Sequence, residues 1–272
     1  MAQTLNRRQT LASLALLGAT GGRAFAQADQ DPDSWPDLVH MFFNDTPIVE
    51  DQSLVQFEAP VRADDAALVP ISFSARLPEG DRRRVVKLTL VIDENPVPLA
   101  GAFTLGEKAG DTRIATRVRV NSYTNARVVA ELSDGSLHMA TRYIKASGGC
   151  SAPMAKSMDE ALATLGQMKF RVLPATPETA NEALLMIRHP NNSGLQMDQV
   201  TRLYTPARYI AKLAVYQGQD VVFSMAAGIS ISEDPNFRFT FRPNGAKTFR
   251  VEAADTAGKT FSGAWPAARD GA

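Results

Sequence analysis

A chain of 272 residues is long enough for one large or two ordinary domains, and its 44% hydrophobic and 21% charged residues can build a core, which excludes wholesale disorder. Lys+Arg and Asp+Glu both total 29, a balance that argues against a nucleic-acid partner or a surface built to grip anionic lipid. One cysteine excludes an internal disulfide framework and a Cys-rich metal site, and His40, His138 and His189 stand too far apart for a histidine metal cluster.

The chain opens with Arg7-Arg8 leading into an apolar stretch over 11–19, followed by Ala24-Phe25-Ala26. The stretch is shorter than the ~20 apolar residues that span a bilayer. It has the order of an export signal over 1–26, and the paired arginines point to the twin-arginine route. Removing it takes away Arg7, Arg8 and Arg23 and no acid, leaving 29 − 3 = 26 basic against 29 acidic residues. The expected location is the periplasm.

A short helix is expected before the turn Asp45-Thr46-Pro47. Beyond Ala59-Pro60 the pattern becomes alternating. Ile71, Phe73, Ala75 and Leu77 form one series and Val86, Leu88, Leu90 and Ile92 the next, continued over 114–120, 126–132 and 137–144, with Asp134-Gly135 as a hairpin turn. Successive side chains on a strand point to opposite faces, so this period predicts half-buried antiparallel sheet and a β-sandwich.

The segment 145–153, Lys-Ala-Ser-Gly-Gly-Cys-Ser-Ala-Pro, has no bulky side chain beyond its lysine. A lone cysteine is often a small buried hydrophobe. Here Gly148 and Gly149 before Cys150, and Ser151, Ala152 and Pro153 after it, predict an exposed thiol on a pliable arm. Lys145, Arg142 and Lys156 are the cations expected to favour its thiolate. Met154, Met158, Leu162 and Leu165 predict a linker helix over 154–165.

The remainder is again strand-rich, over 170–173, 182–188, 210–216, 221–226, 237–242, 248–253 and 260–265. Turns are expected at 216–219, 243–245 and 256–258. Phe237, Phe239 and Phe241 share one face and should carry much of this core. The expected fold class is all-β, with two immunoglobulin-like β-sandwich domains over 35–149 and 169–267. A Gly-Cys arm and short helix over 150–168 join them.

Ordered motifs also carry a family resemblance. In the first half these are Leu68-Val69-Pro70-Ile71, Asn95-Pro96-Val97-Pro98-Leu99-Ala100, Phe103-Thr104-Leu105, Arg117-Val118-Arg119-Val120 and Gly148-Gly149-Cys150. In the second they are 187–194, 206–210, Tyr216-Gln217-Gly218, 232–239 and Trp265. The first half resembles SoxY and the second SoxZ, the sulfur carrier of periplasmic sulfur oxidation, here fused in one polypeptide. In that family a cysteine in Gly-Gly-Cys-Gly-Gly at a free C-terminus carries sulfur intermediates covalently. The resemblance gives that role to Cys150, with Gly148, Gly149 and Ser151 as the carrier arm. Ser151-Ala152 stands where the family has Gly-Gly, and the arm runs on into the second half. The fused arrangement resembles quinoprotein dehydrogenase-associated SoxYZ-like carriers. That implies a quinoprotein (PQQ) alcohol dehydrogenase or Sox-type enzymes, with c-type cytochromes, as partners. A thiol peroxidase or transferase would need a base or an arginine fixed beside the sulfur and a shaped pocket; a glycine-flanked cysteine on a loose arm provides neither, so no catalysis by the chain and no cofactor are expected.

Other features were weighed against this reading. Cys150, Met154 and Met158 recur every four residues, and soft sulfur ligands on one helical face would suit Cu(I). A second alternative is a docking module for the dehydrogenase and its cytochrome, in which Cys150 is dispensable. The loop His189-Pro190-Asn191-Asn192-Ser193-Gly194 offers a contact to the arm or a partner, but is expected to be a turn with a partly exposed histidine. Arg82-Arg83-Arg84 is expected to be a solvated strand start, and Asp93-Glu94 a turn and not a catalytic pair.

Overall fold

The apolar residues at every second position pair into ladders, as their spacing predicts. A computed structural model describes residues 33–174, 181–198 and 201–267. The export signal read over 1–26 lies outside the described residues. The first half contains α1 (Trp35–Phe43), β1 (Ile48–Glu50), β2 (Val55–Glu58), β3 (Val69–Ala75), β4 (Val85–Ile92), β5 (Leu99–Leu105), β6 (Ile114–Val118), β7 (Thr124–Leu132) and β8 (Leu137–Ile144). The second contains α2 (Met158–Ala163), β9 (Met168–Leu173), β10 (Glu182–Ile187), β11 (Ile210–Gln217), β12 (Asp220–Ala227), β13 (Asn236–Thr240), β14 (Thr248–Asp255) and β15 (Thr260–Pro266).

The all-β fold is confirmed, and its strands lie in two sheets. The larger has nine strands in the order β1-β8-β7-β4-β5-β12-β11-β14-β15, and the smaller six in the order β2-β3-β6-β13-β10-β9. Both sheets run through both halves. β5 pairs antiparallel with β12 from Leu105↔Phe223 to Gly101↔Ala227, and β6 with β13 at Ile114↔Phe239 and Ala115↔Arg238. The halves therefore meet through main-chain hydrogen bonds in both layers. β5 escapes the alternation pattern because Ala100, Gly101 and Ala102 offer no bulky residue to mark a face.

The core between the sheets is continuous across this junction. Phe103 of the first half lies 5.1 Å from Phe73, 6.3 Å from Phe223 and 6.4 Å from Phe237, measured between ring centroids. The series continues through Phe223–Phe239 at 5.2 Å and Phe241–Phe249 at 5.0 Å. Such pairs add ~0.5–1.5 kcal/mol each beyond area burial. Phe237, Phe239 and Phe241 are all buried, as their spacing predicts.

α1 covers the outer face of the larger sheet in the first half. Leu38 and Phe43 pack with Val91, Val129, Leu137 and Met139, while Leu88, Leu90, Ile92 and Val128 face the main core. Covered on both sides there, β4 and β7 bury Val91 and Val129 on the outer face in addition to the alternating core face. α2 is shorter than the helix predicted over 154–165. Ser157 caps it, its side chain accepting from the Glu160 N–H while the Glu160 carboxylate accepts from the Ser157 N–H. This reciprocal box fixes the start at Met158. No helix among the described residues is long and apolar enough to cross a membrane.

Candidate functional site

β8 ends at Ile144, and the chain after it is held by main-chain hydrogen bonds at Lys145, Gly148 and Gly149. The Lys145 N–H donates to Val61 O at 2.8 Å, and the Lys145 carbonyl accepts from the Ala63 N–H at 3.3 Å. The Gly148 N–H then reaches Asn121 O at 2.8 Å and the Gly149 N–H reaches Val120 O at 3.0 Å. A turn follows, in which the Ser151 N–H and Oγ both donate to Gly148 O at 3.2 Å.

Three side chains hold the carbonyls that remain. Arg119 Nη1 donates to Gly149 O at 3.1 Å, Ser193 Oγ to Cys150 O, and Gln196 Nε2 to Ala152 O at 3.1 Å. Arg119 belongs to the first half, Ser193 and Gln196 to the second. The cysteine segment is thus clamped at the junction.

This overturns the exposed thiol and the pliable arm expected from composition. Cys150 is 0% exposed. The segment has few side chains to bury, but its backbone anchors it. The glycines serve geometry and not freedom. Gly148 has φ +79, a left-handed conformation that costs other residues, with open space where a Cβ would stand. At Gly149 a Cβ would lie 2.0 Å from Ala66 O and 2.7 Å from Val120 O, so only glycine permits this approach. Ser151 is exposed and closes the turn.

The expected cations are also misplaced. Arg142 bonds Gln52 and the Thr141 carbonyl, Lys156 pairs with Asp234 at 2.6 Å, and Lys145 bridges Arg62 through its main chain. The cation that acts on the sulfur is Arg119. Burial pushes the Cys150 thiol up to about 11 from its ordinary 9.0, and the Arg119 guanidinium pulls against that rise. The resting thiol is therefore protonated and shielded.

Arg119 follows β6 directly. Its N–H donates to Ser230 O at 2.7 Å, and its carbonyl accepts from Asn95 Nδ2 at 2.8 Å. Asn95 Nδ2 also reaches Ser230 Oγ at 2.9 Å, and Asn95 Oδ1 accepts from the Asn121 N–H at 2.8 Å. The backbone beneath the guanidinium is thus fixed by both halves. Sequence reading placed Arg119 only within a resemblance motif; by alternation it shares the outward phase of Arg117, opposite Ile114, Thr116, Val118 and Val120, so no local signal marks its burial.

The loop from His189 is a second correction. His189 is buried, contrary to the partly exposed side chain expected, and burial lowers its pKa against the pull of Asp255. Its Nδ1 accepts from the Asn191 N–H at 3.0 Å, leaving Nε2 facing Asp255 at 3.5 Å. Asn191 gives Nδ2 to Ile231 O and accepts the Ile210 N–H, both at 3.1 Å. The buried polar groups make this loop a rigid bracket, and Ser193 and Gln196 on it reach the cysteine segment.

The Cu(I) arrangement fails on geometry. Cys150 lies in a turn and Met158 begins α2, with non-helical chain between them, so Cys150, Met154 and Met158 share no helical face. Arg83 lies between Asp81 and Asp134 at the start of β4, at 2.7 and 3.3 Å. Asp93 is a buried partner of Arg127 at 2.8 Å and has no catalytic partner in Glu94, which accepts from Ser34.

Comparison with known proteins adds the family. Residues 39–150 match the model of sulfur oxidation protein SoxY, and residues 171–266 match that of sulphur oxidation protein SoxZ. No curated protein matches the chain. Among solved structures, the sulfur carrier protein SoxY from Chlorobium limicola f thiosulfatophilum is similar over 42% of this chain and 91% of its own, with 22% identity and a TM-score of 0.34. With a SoxY half ending at Cys150 and a SoxZ half following it in the same polypeptide, the chain belongs to the SoxYZ-like carriers as a fused member.

Proposed function

We propose that the chain is a periplasmic covalent carrier, not a catalyst, and that Cys150 is its attachment point. The observation that carries this reading is the place of Cys150. It is the last residue of the SoxY match, and it sits where both halves clamp a short segment whose continuation over 151–157 lies largely at the surface. The clamp consists of side chain to main chain hydrogen bonds, each contributing about 1 kcal/mol. Lifting the segment is then a local opening and not an unfolding event.

In the open state the Cys150 thiolate attacks the divalent sulfur of a partner-bound disulfide or thiosulfonate. A new sulfur–sulfur bond forms, the former one breaks, and the other sulfur leaves with the electron pair. No external oxidant is needed. Reclosure then shields the load from solvent. The donors and acceptors proposed are periplasmic redox enzymes, a quinoprotein dehydrogenase or Sox-type enzymes, with c-type cytochromes. The fused arrangement is what supports the quinoprotein link.

The test is intact-mass analysis of protein isolated from its own periplasm. Added mass on the Cys150 peptide that is lost on reduction is the expected result. The buried thiol favours one other reading, a docking module in which Cys150 only fills core. A Cys150→Ser strain that keeps full dehydrogenase-dependent growth would decide for that module and against the carrier.

A further inference from the structure

Arg119 is 1% exposed, yet its Nε and Nη2 donors have no hydrogen-bond partner. A buried guanidinium is ordinarily matched to a carboxylate, because an uncompensated charge out of water is costly. The two carboxylates whose charge reaches it, Asp65 and Glu233, are engaged elsewhere. Asp65 Oδ1 accepts from the Ala67 N–H at 2.7 Å, and Glu233 Oε2 from the Ala155 N–H at 3.2 Å. The third group whose charge reaches Arg119 is Cys150, and the guanidinium is held next to it in the chain by the bond from Nη1 to Gly149 O at 3.1 Å. A positive charge with two unmade bonds beside a lone sulfur points to an anion that arrives with the cargo.

We propose that Arg119 is the anion receptor of the Cys150 site. Its Nε–H and Nη2 donors take the negative end of whatever group the sulfur bears, so that the closed protein selects adducts ending in an oxyanion over neutral or cationic ones. This rests on the carrier reading of Cys150. It makes Arg119 a specificity-determining residue, positioned by Asn95 and Ser230, which hold its backbone and touch no cargo. Arg119 also ties the receptor to the clamp, since the same guanidinium bonds Gly149 O. An anionic load would strengthen closure and a cationic one would oppose it.

The test uses two disulfides of matched length and opposite charge, those of 2-mercaptoethanesulfonate and of cysteamine. Each reacts by exchange: the Cys150 thiolate takes one half and expels the other as thiolate, so electrons balance without an oxidant. The full chain is equilibrated with both, each in the presence of its own thiol, and the two adducts are counted by intact mass. The opening equilibrium is common to both reagents and cancels in their ratio.

The expected ratio favours the sulfonate by about tenfold or more, the effect of a cation held within ~4–6 Å. Arg119→Met should bring it close to one, and Arg119→Lys, which keeps the charge, should retain most of it. Matching thermal melts of the three proteins would show that folding is not the cause. A wild-type ratio near one, or a preference unchanged in Arg119→Met, overturns the assignment to Arg119 alone. A Cys150 that accepts neither reagent overturns the carrier reading with it.

Discussion

Arg127 and Arg119 are both guanidiniums withdrawn from water in the first half, 8% and 1% exposed, but their surroundings differ. Arg127 lies under α1, with Nε 2.8 Å from Asp93 and its guanidinium 4.3 Å from the centre of the Trp35 ring. Arg119 lies at the junction of the halves with two donors unmade and a thiol as its neighbour. The first charge has a carboxylate and an aromatic face against it and serves the fold. The second is complete only when something else is present. Satisfaction, more than burial, separates a structural charge from a functional one.

The largest effect should come from breaking the Arg127–Asp93 ion pair. Asp93→Ala takes the carboxylate away from a buried guanidinium, and should cost about 3–5 kcal/mol in urea unfolding. A loss below 1 kcal/mol would show that Arg127 is satisfied without Asp93. The next effect belongs to the turn that presents Cys150. Gly149→Ala drives a Cβ into Ala66 O and Val120 O, and should cost about 1–3 kcal/mol while speeding alkylation of Cys150. Gly148→Ala meets no atom but inherits φ +79, which should cost about 1–2 kcal/mol. If both substitutions are neutral, the segment is a loose arm after all.

Ser193→Ala removes one neutral hydrogen bond from the clamp. About 1 kcal/mol lost there corresponds to roughly fivefold faster labelling of Cys150 by a neutral alkylating reagent. The smallest effect on stability is expected at the incomplete charge itself. Arg119→Met should change unfolding free energy by less than about 1 kcal/mol, since the lost bond to Gly149 O is offset by removing a buried charge with two unmade bonds. Its signature is chemical. The thiol already titrates at about 11 instead of 9.0, so the folded chain keeps its proton longer than the unfolded one. Stability should therefore fall as pH rises from 9.0 towards 11. Without Arg119 the thiol should titrate higher still, as ultraviolet absorbance of the thiolate would report.

Much of the sheet was legible from side-chain period. The series at 71–77 and 86–92, the Asp134-Gly135 hairpin and the Phe237, Phe239 and Phe241 face all follow from alternation and turn chemistry. β5 was hidden because small residues carry no period, and with it the strand that joins the halves in the larger sheet. The error at Cys150 has a different cause. The side chains of segment 145–153 have little to bury, whereas its carbonyls are bound by Arg119, Ser193 and Gln196 from 30 to 44 residues away. Those partners lie in stretches whose own patterns concern strands and turns, so no local signal couples them. The family resemblance found Cys150 but carried no information on whether a clamp conceals it.

The pairing of β5 with β12 and of β6 with β13 has a consequence for any attempt to separate the halves. Cutting the polypeptide between them would lay bare two hydrogen-bonding edges on each fragment, together with a broken aromatic core. Such fragments, produced together, should reassemble into the native layers. Produced singly, each would present a template on which foreign strands can grow, and aggregation would be its fate.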